Sequence, residues 1–297
     1  MPDGIVTATA ADGSFTIVAG ITTGLVRETQ QRHELAPTAS AAVGRLLTGA
    51  MLLGASLKGR EKLTLQVASD GPLRGLVADV QLNSPREIGG RGYARRPQVD
   101  VPLNERGKFD VGGAVGKGYL QVTRSFEIGQ PYVGIVELAS GEIGDDIASY
   151  LMTSEQIPSV VALGVLANKD GIKASGGIIA QVLPGAAEPT IEALERRAQT
   201  MLPVTAQIDA GATPSDLAQA LAGDLVMRHT RAYDLAFTCS CSRDRVERAL
   251  LGLGRDELQK IVREQPTTEA ICEFCKTAYV LTSDEVRGLI ERLEARS

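Results

Sequence analysis

Phe237-Thr-Cys-Ser-Cys-Ser242 and Ile271-Cys-Glu-Phe-Cys-Lys276 contain all four cysteines of the 297-residue chain. Cys239 and Cys241 form a C-x-C pair, Cys272 and Cys275 a C-x-x-C pair, and thirty residues lie between the two. Short-spaced thiol pairs that can meet across one loop suit a tetrahedral Zn²⁺, which four thiolates satisfy fully. The same spacing leaves each pair able to close its own disulfide. C-x-C is a tighter bite than the C-x-x-C usual in zinc ribbons and knuckles. A disulfide across it would be strained, and strained disulfides tend to be the labile, regulatory ones.

The sequence around the pairs is short of large apolar groups. Val246, Ala249, Leu250 and Leu253 follow helical spacing behind Ser242, a candidate cap, with Gly252 or Gly254 as the stop. Leu258, Ile261 and Val262 mark a second helix ended by Pro266. Thr282-x-x-Glu285 is a capping box for a third, with Val286, Leu289, Ile290 and Leu293. About sixty residues with so thin a core need a staple, and a metal would supply it.

Upstream, two helical patterns follow Pro189-Thr190 and Pro214 and carry Leu194 and Leu217. Both are short and broken by Pro203, Gly211 and Gly223, so they need a packing partner. Before Pro184 strand signals dominate. Ile5–Thr9 pairs with Phe15–Ala19, Leu63–Ala68 with Leu73–Val80 across Asp70-Gly-Pro72, and Tyr119–Phe126 with Tyr132–Leu138 across Gly129-Gln-Pro131. Two further strands lie near Val160–Leu166 and Ile178–Leu183. A buried helix opens at Pro37-Thr38, with Thr38 as its cap, and ends at Lys58-Gly59-Arg60. Another carries Ile143, Ile147, Tyr150 and Leu151, with Asp145 and Asp146 at the positive end of its dipole. The expected class is α+β. Residues 1–184 form an antiparallel-sheet domain with packed helices, 185–236 a helical linker, and 237–297 a small Cys₄ zinc-binding domain.

Composition narrows the function. The net charge is −5. Residues 239–297 carry ten Lys/Arg against eleven Asp/Glu, so phosphate-tracking by this module is disfavoured. The N-terminus lacks a basic, apolar leader, and no apolar run approaches the roughly 18 residues of a membrane span. A cytosolic location is expected, where thiols stay reduced. Clustered cysteines there point to metal or redox chemistry.

Several other motifs read as structural. Gly112-Gly-Ala-Val-Gly116-Lys117-Gly118 is one residue short of a phosphate loop, and Gly118 replaces the Ser/Thr that would hold Mg²⁺. A hairpin turn is expected there. Ala174-Ser175-Gly-Gly177 lacks the first Gly of a nucleophile elbow and has no nearby His. His33 and His229, the only histidines, have no local constellation. Arg91, Arg95 and Arg96 read as a solvated loop. Cys272-x-x-Cys275 as a thiol oxidoreductase lacks the βαβ context of thioredoxin. The remaining alternative is a zinc-ribbon-type module that binds nucleic acid or protein.

C-x-C, thirty residues, then C-x-x-C resembles the redox-regulated holdase chaperones of the heat shock protein 33 family. Gly71-Pro-Leu73, Arg91-Gly-Tyr93, Gly116-Lys-Gly-Tyr-Leu120, Tyr150-Leu-Met-Thr-Ser-Glu-Gln-Ile-Pro158 and Ser175-Gly-Gly-Ile-Ile-Ala-Gln-Val-Leu-Pro184 match it as well, covering nearly the whole chain. Ser240 stands where some relatives have a carboxylate, so no role of that charge transfers. The resemblance implies a non-enzymatic, ATP-independent chaperone whose C-terminal domain is a redox switch. Cys239, Cys241, Cys272 and Cys275 would bind one Zn²⁺ when reduced. Oxidant would form Cys239–Cys241 and Cys272–Cys275 and expel the metal. The chain would then dimerise and hold unfolding client proteins under oxidative stress.

Overall fold

The computed structural model describes residues 2–168 and 171–294, without the side chains of His229 and Glu294. Its contacts divide the chain into two compact units, Met1–Thr238 and Cys239–Ser297. The alternating Ile5–Thr9 and Phe15–Ala19 segments form the expected pair, β1 (Gly4–Ala10) and β2 (Phe15–Ile21). Next comes α1 (Thr23–His33), a helix too polar to show a strong apolar stripe. Its exposed amides are capped from afar: the Asp3 carboxylate accepts from the Gly24 and Leu25 N–H groups at 2.8 and 2.6 Å.

The helix α2 (Pro37–Gly54) is buried almost all round, as a helix apolar on every face must be. Thr38 is not its cap. Pro37 takes the first helical position, which suits its fixed φ, so the cap falls on Ala36. Thr38 lies inside and donates its hydroxyl to Asp100 Oδ1 at 2.6 Å. The helix also stops before Lys58, because Ala55, Ser56 and Leu57 turn back onto the carbonyls of Leu52, Leu53 and Gly54.

The chain continues through β3 (Lys62–Ser69), β4 (Leu76–Ser84), β5 (Glu87–Ala94), α3 (Val111–Val115), β6 (Gly118–Ser125) and β7 (Tyr132–Glu137). The hairpins β3–β4 and β6–β7 pair as expected, with Leu65 opposite Ala78 and Val122 opposite Gly134. Residues 111–115 are a helical turn rather than a hairpin turn; the Asp110 carboxylate caps it by accepting from the Gly113 N–H. Gly118 has a steric reason to be glycine, since a Cβ there would lie 2.0 Å from the Ala68 carbonyl oxygen of β3. Arg91 is not in a solvated loop. It sits in β5 and binds Asp79 across the sheet at 2.8 Å.

Then come α4 (Gly144–Thr153), β8 (Ser159–Asn168), β9 (Gly171–Val182), α5 (Glu188–Thr200), α6 (Val204–Asp209), α7 (Pro214–Ala222) and β10 (Met227–Phe237). Asp145 and Asp146 occupy the first turn of α4. Ser175 is fully buried and shares hydroxyl hydrogen bonds with Thr22 and Thr48, a packing role. His33 is buried and stacks on Tyr93. The helical reading of 185–236 holds for α5 and α7 but fails at Met227–Phe237, which is a strand in the sheet.

The ten strands run β7-β6-β3-β4-β5-β10-β1-β2-β9-β8. Every junction is antiparallel except β10–β5. The helix α2 touches β3, β4 and β5 as well as β2, β8 and β9, so one buried helix serves both halves of the sheet. A second core lies elsewhere in the unit. Phe15, Ile17, Ile21, Ile178 and Ala180 pack there with Leu194 of α5, Val204 and Ile208 of α6, and Leu217 and Leu221 of α7.

The second unit holds α8 (Arg243–Leu251), α9 (Arg255–Glu264), the hairpin β11 (Thr267–Ile271) and β12 (Ala278–Thr282), and α10 (Ser283–Glu294). Ser242 caps α8 by accepting from the Arg245 N–H. Thr282 and Glu285 form the capping box reciprocally, Thr282 N–H to Glu285 Oε2 at 2.8 Å and Glu285 N–H to Thr282 Oγ1 at 3.3 Å. The core of this unit is only Leu250, Leu258, Leu281, Val286 and Leu289 with partly buried neighbours.

Candidate metal centre

Two short segments of the second unit supply the four thiols. Cys239 and Cys241 lie on the extended lead-in to α8, and Cys272 and Cys275 lie in the loop of the β11–β12 hairpin. That loop is a tight knuckle. Lys276 adopts a left-handed φ of 58°, which lets its N–H reach the Cys272 carbonyl at 2.8 Å while Cys272 N–H reaches the Thr277 carbonyl at 3.0 Å. The lead-in is held by Arg245, which donates to Ser240 Oγ at 2.6 Å.

All four Sγ atoms lie within 4.8 Å of one another. Cys239 Sγ is 3.7 Å from Cys272 Sγ, and Cys241 Sγ is 3.3 Å from Cys275 Sγ. All four are free thiols. A tetrahedron with Zn–S bonds of about 2.3 Å has edges of about 3.8 Å. The donor set and the spacing therefore fit a tetrahedral thiolate-binding metal, with one sulfur from each segment at both close contacts.

Two hydroxyls complete the site. Tyr279 donates to Cys241 Sγ at 3.1 Å, and Thr277 Oγ1 lies 3.2 Å from Cys275 Sγ. Both stand on β12 or its approach, two residues apart, the strand alternation that puts side chains on one face. Sequence reading passed over them. The signal was the Cys275-x-Thr277-x-Tyr279 alternation running out of the knuckle. In the metal-free quartet these contacts split the thiols. Burial pushes the Cys241 thiol up to about 12, with neighbouring thiols adding to the rise and the Tyr279 hydroxyl opposing it. Burial also raises Cys275, but its hydrogen bonds with the Thr277 side chain and backbone and with neighbouring thiols outweigh it and bring the thiol to about 6. Cys275 therefore ionises ahead of Cys241. Donating to Cys241 holds the Tyr279 proton, with its pKa raised to about 12.

A family profile described as Hsp33 protein matches residues 3–282. The chain belongs to the Hsp33 family. The relatives agree over their full length. The "33 kDa chaperonin" of Desulforamulus reducens is 40% identical over 297 residues, covering all of both chains. That of Bacillus subtilis is 42% identical over 289 residues, 97% of this chain and 98% of the relative. The crystal structure of the 33 kDa chaperonin (heat shock protein 33 homolog) from Thermotoga maritima superposes with a TM-score of 0.91 at 32% identity, covering both chains completely. Hsp33 relatives are named as chaperones, so this chain is a chaperone rather than an enzyme, with a cysteine cluster that could hold a metal. No described helix is long and apolar enough to cross a membrane.

Proposed function

We propose that this Hsp33-family chain is a redox-regulated, ATP-independent holdase of the cytosol, switched by one Zn²⁺ on Cys239, Cys241, Cys272 and Cys275. The observation that carries the reading is the thiol quartet itself. It joins two segments far apart in sequence in a unit whose core is five buried side chains. Bound Zn²⁺ would supply a tetrahedral tie between the lead-in to α8 and the knuckle, and its binding energy would be folding energy for the unit.

The proposed working parts are residues 1–184 as the chaperone domain, the helices α5, α6 and α7 of 185–236 as the linker, with β10 counted in the sheet of the first unit, and 237–297 as the switch. Peroxide takes two electrons from each pair. It forms Cys239–Cys241 and Cys272–Cys275 and leaves no thiolates for the metal. Neither disulfide crosses the gap between the pairs, so the long-range tie is lost and the switch unfolds. The linker helices then loosen from the apolar residues they cover, such as Phe15, Ile17 and Ile178. Contiguous apolar surface is what a client-holding chaperone needs. The oxidised chain is expected to dimerise and to bind unfolding proteins.

The test compares reduced, peroxide-treated and re-reduced protein for suppression of thermal aggregation of a model client. Suppression should appear on oxidation and fade on re-reduction with zinc. Equal suppression by the reduced, zinc-loaded protein would remove the redox switch. Salt-dependent binding of RNA or DNA by the reduced protein, without suppression in any state, would favour a zinc-ribbon binding module instead.

A further inference from the structure

The parallel junction of the sheet leaves a cleft that none of this chemistry uses. The strand β10 pairs with β1 from Met227 onward but meets β5 only from Asp234, opposite Glu87. Ahead of that point one edge of β10 has no partner strand among the described residues. The Asp234 N–H turns toward this side and donates to the Arg86 carbonyl at 2.9 Å. Strand alternation turns the Ala232 amide the same way. The space beside it is a cavity of about 1210 Å³, bounded by the loop after α2, the β4–β5 turn and β10. That exceeds the roughly 300–1,000 Å³ of common small-molecule sites.

Its charge contrasts with the chain. Lys58, Arg60, Arg86 and Arg231 line the cleft against one carboxylate, Asp234, in a protein of net charge −5. Among the described residues, the Lys58 ammonium and the Arg86 guanidinium have no side-chain partner. The Arg231 guanidinium, among the described residues, hydrogen-bonds to the Tyr233 hydroxyl alone, at 3.4 Å. Arg60 pairs with Glu127 at 3.0 Å, an exposed contact that a ligand can replace. Such crowding of like charge calls for an anion. A guanidinium presents a planar fork matched to phosphate, and a strand amide adds a neutral donor. Tyr233, the one aromatic residue of the lining, is buried with its hydroxyl bonded to the Ala55 carbonyl, so it offers no free face for a nucleobase.

We propose that this cleft is a binding site for a polyvalent phosphate-type anion, held by Lys58, Arg60, Arg86, Arg231 and the Ala232 amide. A balance of four cations to one acid fits a chain of phosphates better than a single one.

Isothermal titration of the reduced full-length chain with sodium tripolyphosphate tests this, with ATP and hexaglutamate as comparison ligands. One tripolyphosphate should bind per chain, ATP no more tightly, and about 0.5 M salt should weaken both. The double variant Arg86→Ala, Arg231→Ala should bind about a hundredfold more weakly, given the strength of charge-assisted hydrogen bonds. Asp234→Asn should bind more tightly, and Arg196→Ala, on the exposed face of α5, should match the parent. If the double variant does not fold, Lys58→Ala and Asp234→Asn carry the same test with opposite signs. Absence of tripolyphosphate binding, or parent-like binding by the charge-deleted variants, overturns the site. Tighter binding of hexaglutamate would make it a peptide edge, and ATP binding more than about tenfold tighter would make it a nucleotide site; either overturns recognition through phosphate alone.

Discussion

Tyr279 and Thr277 show how single hydroxyls can set the temper of a thiol site. Each reaches one sulfur, Cys241 and Cys275 respectively, and a hydrogen bond to a thiolate stabilises the charged form a metal requires. Tyr279→Phe removes that donor and keeps the ring. It should lose zinc to a chelating dye several-fold faster, with the fold intact by circular dichroism; an unchanged rate would mean the contact is incidental. The thiol values give a second prediction. In metal-free, reduced protein Cys275 is ionised above about pH 6, while Cys241 stays protonated until about 12. Only thiolate is alkylated, so labelling at Cys275 by iodoacetamide should precede that at Cys241 at neutral pH and fall as pH drops through about 6. The sign also governs stability. A thiol whose folded pKa is depressed stabilises the fold above its unfolded pKa, and that contribution is lost as pH falls through about 6. Mass mapping of the labelled residue across pH checks the order.

Individual elements show what the sequence discloses and what it hides. Ser242, the Thr282–Glu285 box and the acidic start of α4 act within a few residues, so local pattern reveals them. The hairpins β3–β4 and β6–β7 are likewise announced by alternation and turn residues. The helix α1 is not, because its cap is Asp3, twenty-odd residues upstream across the sheet. Nor is β5, whose Glu87-Ile-Gly-Gly-Arg-Gly-Tyr-Ala94 is too glycine-rich for strand propensity. Packing resists a side chain at Gly92, where a Cβ would lie 2.9 Å from the Val77 carbonyl oxygen of β4. The strand β10 was hidden because its pairing is wholly non-local, joining β1 from the far end of the chain to β5. Two substitutions test the element-level account. Asp3→Ala should destabilise the first unit by about 1 kcal/mol or more through the lost cap of α1. Gly118→Ala should cost about 1–3 kcal/mol, because the new methyl meets backbone that cannot rotate away. Chemical denaturation measures both, and a neutral result at Gly118 would contradict the packing described.

The two units differ in what holds them. The first is built on two cores and a ten-stranded sheet; the second rests on five buried side chains and four thiols. The cysteine motifs and the coarse α+β division were legible because thiol spacing and hydrophobic period are local. The sulfur geometry was not, since it depends on a knuckle closed by Lys276 and on the lead-in to α8. A chelator under reducing conditions should lower amide protection in residues 239–294 far more than in residues 3–168 in hydrogen exchange, because the metal stabilises a unit with a thin core. The most direct measurement follows zinc release, with a metallochromic dye, and client aggregation, by light scattering, in the same peroxide-treated sample. The account predicts that about one zinc per chain is released and that suppression of aggregation rises with it. Suppression already complete before any zinc leaves, or complete zinc release with no gain in suppression, would contradict it.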